Sequence, residues 1–169
     1  ITLFYPVDVF NEFTAGIYKV GATIADGVRA TTIAKTICPT WSVTCSMDGD
    51  VGTIGYNYKQ LIAGGAKIDL FAPHYKRDEG WGGKVYQRTT QLRADMAAVG
   101  ISKPIYVQEE SWSGESVWSV EQSTAAGGGA KSSGAAGYCF HTTAGFDLSS
   151  RSYFEQLTSE ELTAMQQLP

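Results

Sequence analysis

Two glutamates follow strand-like runs of this sequence, and they could supply a reaction that needs two carboxyl groups. Glu12 follows Phe4–Phe10, a run rich in β-branched and aromatic residues, and Glu109 follows Pro104–Gln108. Retaining hydrolysis of a glycoside uses one carboxylic acid to protonate the leaving oxygen and one carboxylate on the other side of the sugar. The two residues are therefore candidates for such a pair.

The spacing of the two glutamates predicts how a fold would bring them together. Glu109 lies 97 positions after Glu12. In a (β/α)8 barrel of roughly 250 residues, one strand-helix unit takes about 31 residues, so this separation is close to three units. Such barrels place their catalytic residues at the carboxyl ends of the strands. We therefore expect the two glutamates to face each other across the mouth of a barrel.

Composition predicts one globular domain, residues 1–169, and excludes some classes of partner. The chain is 43% hydrophobic and 18% charged, which is ordinary for a folded domain. The net charge of −4 and the scattered basic residues argue against binding of nucleic acid. No apolar run approaches the roughly 20 residues that cross a bilayer. Three cysteines are too few for a disulfide framework, and both a Cys38–Cys45 bridge and free thiols are compatible with the sequence.

The order of elements predicts a parallel α/β fold. Strand-like segments lie at Phe4–Phe10, Ser42–Ser46, Ile68–Pro73, Pro104–Gln108 and Ala136–Phe140. Helical periodicity covers Gly16–Ile37 and Lys84–Val99, and Thr158 opens a last helix with a capping box. Glycines at 64–65, 100 and 134 should end helices just before a strand. Strands that alternate with helices indicate βαβ units.

Five such units do not close a barrel of eight strands. An open doubly wound sheet is the structural alternative, but its usual glycine-rich turn after the first strand is missing. The glycines at 127–129 come after the fourth strand-like segment, so a phosphate-binding role is not expected there. Because Ile1 runs directly into a strand, we expect a TIM-barrel-type fold in which this chain supplies strands four to eight and the first three are absent.

Four motifs in order strengthen this expectation. They are Asn11-Glu12, His74-Tyr75, Lys103–Glu109 and Gly137–Thr142, and each ends or follows a strand-like segment. Together they resemble the C-terminal half of the retaining glycoside hydrolases with a (β/α)8 barrel. The resemblance implies that Glu12 is the acid/base and Glu109 the nucleophile. It also implies that Asn11 donates a hydrogen bond to the sugar 2-hydroxyl.

The two carboxyl groups need opposite protonation states. We expect Phe10 and Phe13 to raise the pKa of Glu12 by desolvation, and a hydrogen bond from Tyr75 to keep Glu109 ionised.

Glu110 is the alternative nucleophile, since side chains alternate along a strand and only one of the two neighbours can point into a barrel. Glu109 shares a face with Ile105 and Val107, branched residues of the kind that fill barrel interiors, and this alternation favours Glu109.

Further residues at predicted strand ends are candidates for binding sugar. Aromatic rings stack on the apolar faces of sugars, and short polar side chains reach the hydroxyls. The candidates are Ser46, Asp48, His74, Tyr75, Trp81, Trp112 and His141. His141 stands where the resembling family usually has a tryptophan, which changes the expected shape of the innermost subsite. Neither histidine has metal-ligand partners at the right spacing, so no metal or cofactor is expected.

The sequence thus predicts a retaining glycosidase that acts on β-linked sugars or oligosaccharides. The alternative is a non-catalytic carbohydrate-binding or structural half-barrel. An open half-barrel would expose two sheet edges, so we expect a complementary N-terminal segment, a partner chain or self-association to cover them. The resemblance is compatible with a secreted protein, and the sequence leaves the compartment open.

Overall fold

The computed structural model describes residues 6–10, 13, 22–75, 81–110, 120–140 and 159. Helices and short strands alternate along these ranges. The helices are α1 (Ile24–Ile37), α2 (Val51–Ala63), α3 (Trp81–Ala97) and α4 (Val120–Ser132). The strands are β1 (Val7–Asp8), β2 (Val43–Thr44), β3 (Ser46–Asp48), β4 (Ala72–His74), β5 (Tyr106–Glu110) and β6 (Gly137–Phe140).

Side-chain caps fix where the first two helices begin. The Thr23 hydroxyl accepts from the Asp26 amide at 3.3 Å, and the Asp26 carboxylate accepts from the Thr23 amide at 2.9 Å, which completes a capping box. Asp50 caps α2 by accepting from the Thr53 amide at 3.0 Å. Because Thr23 is extended, α1 begins at Ile24, eight residues later than the helical periodicity from Gly16 predicts.

Three glycines with positive φ separate helices from the strands that follow them. Gly65 has a φ of 92°, Gly100 of 75° and Gly134 of 71°. This left-handed conformation turns the chain out of the helix. Residues with a side chain disfavour it, whereas glycine adopts it at little cost. The sequence prediction for these three positions is confirmed.

All strand pairs within the described ranges are parallel, and strands joined by a helix lie side by side. β1 pairs with β2, and β3, β4, β5 and β6 form a second sheet in that order. A helix connects each pair of neighbouring strands except β2 and β3, which are separated by Cys45 alone. The expected α/β class is therefore confirmed.

The core lies between the sheets and the helices. Buried residues in or next to the strands that contribute to it are Cys45, Met47, Phe71, Tyr75, Ile105 and Val107. Helix residues that pack on them include Ile54, Tyr58, Leu61, Val85, Leu92 and Met96. Helix α1 comes very close to α2, because a Cβ added at Gly27 would lie 2.5 Å from Cδ2 of Leu61.

The prediction of a (β/α)8 TIM barrel is wrong. Every strand of a closed barrel pairs on both sides, whereas within the described ranges β1 pairs only with β2 and β6 only with β5. The assignment of the segments to barrel strands four to eight falls with it. The described residues form a small α/β domain with one two-stranded and one four-stranded parallel sheet.

A tyrosine divides the second predicted strand, Ser42–Ser46, into β2 and β3. The hydroxyl of Tyr58 donates to the carbonyl oxygen of Cys45 at 2.8 Å and accepts from the Ala72 amide at 2.7 Å. The hydroxyl therefore takes the place of a direct hydrogen bond between the β2–β3 segment and β4. This insertion accounts for the break at Cys45.

The cysteines are not bridged. Cys38, Cys45 and Cys139 form no disulfide, which excludes the Cys38–Cys45 bridge that the sequence left open. In the part of the chain that the structure describes, no helix is both long enough and apolar enough to cross a membrane.

Candidate functional site

One side of the strands carries polar residues although the other side packs in the core. Residues that alternate with the core positions are Asp8, Thr44, Ser46, Asp48, His74 and Gln108, which we call the polar face. Thr44, Ser46 and His74 on it are at most 1% exposed. Buried polar side chains need specific partners, so such a concentration of them marks the candidate site.

Asp8 is the central group of the polar face. Its Oδ1 accepts from the backbone amide of Ser46 at 3.0 Å and from that of Phe10 at 3.2 Å. Its Oδ2 accepts from Nε2 of Gln108 at 3.0 Å. The carboxylate therefore joins β1 to β3 and to β5.

The contact between Asp8 and Gln108 shows that the strands curve strongly. The β2–β3 segment and β4 both lie between β1 and β5. Neighbouring strands are about 4.8 Å apart, so a flat sheet would hold β1 and β5 roughly 14 Å apart, beyond the combined reach of the two side chains. The polar face is consequently concave, and the two strands approach each other across it.

Strand β5 contains one extra residue next to Glu109. Phe71 is in register with Ile105, but three residues later His74 is in register with Glu109, four residues after Ile105. The pairing with β6 has a register shift between Val107 and Glu110 as well. The alternation that places Glu109 with Ile105 and Val107 is thus interrupted.

This register shift places Glu109 in the row of His74. His74 is also in register with Asp48 of β3, so these three residues form one row across β3, β4 and β5 near their carboxyl ends. Ile105 and Val107 lie in the core against the helices, and the register shift means that alternation from these two residues does not assign the face of Glu109. Glu110 is instead in register with Phe140.

Ser46 forms a backbone hydrogen bond with the residue that follows Glu12. Its carbonyl oxygen accepts from the Phe13 amide at 2.8 Å, and the carbonyl oxygen of Thr44 accepts from the Val9 amide at 3.0 Å. The chain is therefore hydrogen-bonded to β2 and β3 both before and after Asn11-Glu12. Phe13 is fully buried, and its ring meets that of Phe10 edge to face at 5.1 Å.

Tyr75 lies on the helix side. Its hydroxyl is 3.3 Å from Oγ1 of Thr89, and the guanidinium of Arg88 lies 5.7 Å from its ring centroid. Its ring is fully buried in the core. The hydrogen bond that we expect between Tyr75 and Glu109 involves a side chain outside the described set and stays a prediction.

Several predicted site residues fall outside the described part of the chain. Asn11, Glu12, Trp112 and His141 are not described at all. Trp81 begins α3, but only its backbone is described, as for Glu109. Their roles remain predictions.

Sequence reasoning missed Asp8 and Gln108 as site residues. Asp8 stands between Val7 and Val9, and a single charged residue between two valines of a strand indicates one polar side. The sequence therefore contained a signal for Asp8. The sequence contained no signal for the hydrogen bond between Asp8 and Gln108, because that bond depends on the curvature of the strands.

The pKa of one thiol next to the polar face is shifted. Burial, followed by the charge of Asp8, raises the pKa of the Cys45 thiol to about 12, so the thiol stays neutral behind the polar face. Within the described ranges, no group of three histidine, cysteine or acidic residues could hold a metal ion. The described polar face consists of carboxylate, hydroxyl, imidazole and amide side chains, all of which form hydrogen bonds.

The comparisons with known proteins bear on the fold alone. No protein-family model matches the sequence, and no curated protein matches it. Among solved structures, the chain is similar to N2152 from Neocallimastix frontalis, with a TM-score of 0.65 and 16% sequence identity over 83% of this chain. This chain spans only 36% of the length of that protein. The likeness extends over most of the domain described above.

Proposed function

We propose that this chain carries the two catalytic carboxyl groups of a retaining glycoside hydrolase, with Glu109 as nucleophile and Glu12 as acid/base. The hydrogen bond between Asp8 and Gln108 carries the proposal. Gln108 directly precedes Glu109, and Asp8 lies four positions before Glu12. The two strands that lead to the glutamates therefore approach each other at one end of a curved parallel sheet.

The reaction proceeds in two displacements. Glu109 attacks the anomeric carbon and forms a glycosyl ester, while the bond to the leaving oxygen breaks and that oxygen takes the proton of Glu12. Glu12 then removes a proton from water, the resulting hydroxide attacks the same carbon, and the ester bond to Glu109 breaks. The mechanism requires the two carboxyl groups to lie about 5 to 5.5 Å apart.

The polar face suits a carbohydrate substrate. Sugars present several hydroxyl groups, and the part-exposed Asp48 offers a carboxylate acceptor on the concave face, in which Thr44, Ser46 and His74 lie buried. Asn11, Trp81, Trp112 and His141 are further substrate contacts under this proposal. Tyr75 is not one of them, because its ring is fully buried on the helix side. Within the described ranges β1 and β6 each pair on one side only, and a partner chain or self-association at these edges remains part of the proposal.

Azide rescue distinguishes the two roles. The complete protein is assayed against a panel of 4-nitrophenyl β-glycosides, and Glu109→Ala and Glu12→Ala should each abolish turnover. Azide should then restore turnover in both variants, giving the α-glycosyl azide with Glu109→Ala and the β-glycosyl azide with Glu12→Ala, because a retaining mechanism inverts the carbon at each step.

Glu110→Ala is the matched control and should keep its activity. The opposite result would identify Glu110 as the nucleophile: Glu110→Ala would be inactive and rescued by azide, and Glu109→Ala would have normal activity. Sugar binding by calorimetry without turnover on any glycoside would favour the carbohydrate-binding alternative instead.

A further inference from the structure

Gln108 occupies the point where strand β5 loses its register. Val107 is in register with Tyr138, and Glu109 is in register with His74, so the extra residue of β5 lies beside or at Gln108. A residue that interrupts a ladder bends the strand and changes the direction of the positions that follow it. The placement of Glu109 depends on how this interruption is held.

The side chain of Gln108 is held from across the sheet. Its Nε2 donates to Oδ2 of Asp8 at 3.0 Å, and Oδ1 of the same carboxylate accepts from the amides of Ser46 and Phe10. Hydrogen bonds to an ionised acceptor are stronger than those between neutral groups. The interruption in β5 is thus tied to the backbone of two other segments.

One of the two polar atoms of the Gln108 amide has a cost in stability. Within the described part of the chain, Oε1 of Gln108 is buried and has no hydrogen-bond partner. A buried acceptor without a donor destabilises the folded state. An apolar residue of the same length would avoid that penalty, but it would also take the Gln108 donor away from Oδ2 of Asp8.

We infer that Asp8 and Gln108 are positioning residues for Glu109, an inference that rests on the proposed function. The Asp8 carboxylate holds the Gln108 amide, and that amide fixes the register shift that places Glu109 in the row of His74. Neither residue needs to touch the substrate. Their contribution is to the geometry of the attack, where a displacement of about 1 Å can lower the rate about 100-fold.

The first test replaces the amide and leaves the length unchanged. Gln108→Met removes both the bond to Asp8 and the unpartnered oxygen. We expect kcat to fall about 10- to 100-fold with KM within about threefold of the parent, because the substrate still binds but Glu109 is misplaced. Thermal unfolding of the variant checks that it is folded at the assay temperature.

The second test exchanges the donor and acceptor. Gln108→Glu places a second carboxylate against Asp8 and should lower kcat most. Combining it with Asp8→Asn restores one hydrogen bond in the reverse direction, since the new amide at position 8 can donate to the new carboxylate at position 108. The double variant should regain at least about 10-fold in kcat over Gln108→Glu, a coupling that a general structural role would not produce.

The outcomes separate this inference from the function on which it rests. Turnover that depends on Glu109 but is unchanged in Gln108→Met overturns the positioning role alone. A folded double variant as slow as Gln108→Glu also overturns it. A complete protein whose turnover survives Glu109→Ala, or is absent on every glycoside, overturns the proposed function and the inference together.

Discussion

The Tyr58 hydroxyl donates a hydrogen bond to the carbonyl oxygen of Cys45 from a position inside the sheet. The same hydroxyl accepts from the Ala72 amide, so one helix side chain serves two strands. Tyr58 is fully buried, and burial raises the pKa of its phenol above the ordinary value, which keeps the hydroxyl a donor.

Removing this hydroxyl should weaken the fold. Tyr58→Phe leaves a buried carbonyl and a buried amide without their partner, and each such group costs about 1 to 3 kcal/mol. We expect the free energy of unfolding in urea to fall by about 2 to 4 kcal/mol. The control is Tyr56→Phe, two positions earlier in the same helix, where the side chain is 61% exposed and little change is expected. Equal stability of the two variants would show that the sheet gap closes without the hydroxyl.

Two helix glycines should respond in opposite directions to alanine. Gly27→Ala would place a Cβ 2.5 Å from Leu61 and 3.2 Å from the ring of Phe13, so we expect a loss of about 1 to 3 kcal/mol in unfolding free energy. Gly128→Ala meets nothing within 4 Å and should gain about 0.5 to 1 kcal/mol, because alanine loses less entropy in a helix. A stabilising Gly27→Ala would mean that α1 can move away from α2.

The α1 cap should contribute stability only above acidic pH. Hydrogen bonds from Thr23, with a smaller effect of Arg29, lower the pKa of Asp26 below its ordinary value of 3.8. A carboxyl whose folded pKa is lowered stabilises the fold above the unfolded pKa, and this contribution is lost as pH falls through the folded value. Asp26→Asn should therefore be less stable than the parent at pH 6, with the gap narrowing below about pH 4. Denaturant midpoints measured across this range test it.

Thr23→Ala provides the control for this pH dependence. In that background the hydrogen bonds of the Thr23 hydroxyl are lost and only the backbone amide still donates to Asp26, so Asp26→Asn should produce a smaller gap at pH 6. A gap of the same size in both backgrounds would mean that the Thr23 hydroxyl is not the cause of the lowered pKa.

The thiols should differ in reactivity. The pKa of Cys38 is lowered by a hydrogen bond with the Thr40 hydroxyl, whereas that of Cys45 is raised to about 12 by burial. Because the thiolate is the reactive form, iodoacetamide at pH 8 should modify Cys38 at least about 100-fold faster than Cys45. Mass spectrometry of the digested protein measures both rates. In urea the two rates should converge, and fast modification of Cys45 in the native state would contradict its burial.

The sequence predicted the elements better than their arrangement. Strand segments, the α/β class and the turns at Gly65, Gly100 and Gly134 follow from local patterns, and the structure has them. The break at Cys45 does not follow from such patterns, because it depends on a tyrosine thirteen positions away that inserts from a helix. A barrel was expected from the spacing of the segments. That spacing shows how far apart the strands are along the chain, but it does not show whether the sheet closes.

The candidate site could also be predicted only in part from local sequence patterns. Glu109 was placed by alternation from Ile105 and Val107, which holds only while a strand keeps its register. The structure has a register shift at this point, so Glu109 shares a row with His74 for a reason that alternation could not supply. The contact between Asp8 and Gln108 was equally inaccessible, since nothing local to either residue specifies the other.

The hydrogen bond between Asp8 and Gln108 also orders events during synthesis. Asp8 leaves the ribosome one hundred residues before Gln108, so its second oxygen has only water as a partner while α1, α2 and α3 are made. Helices need only local contacts and form early, whereas contacts between distant residues form late. The concave face is therefore completed only after α1, α2 and α3 have been made, and nascent or truncated chains that end before residue 108 would lack the hydrogen bond that closes it.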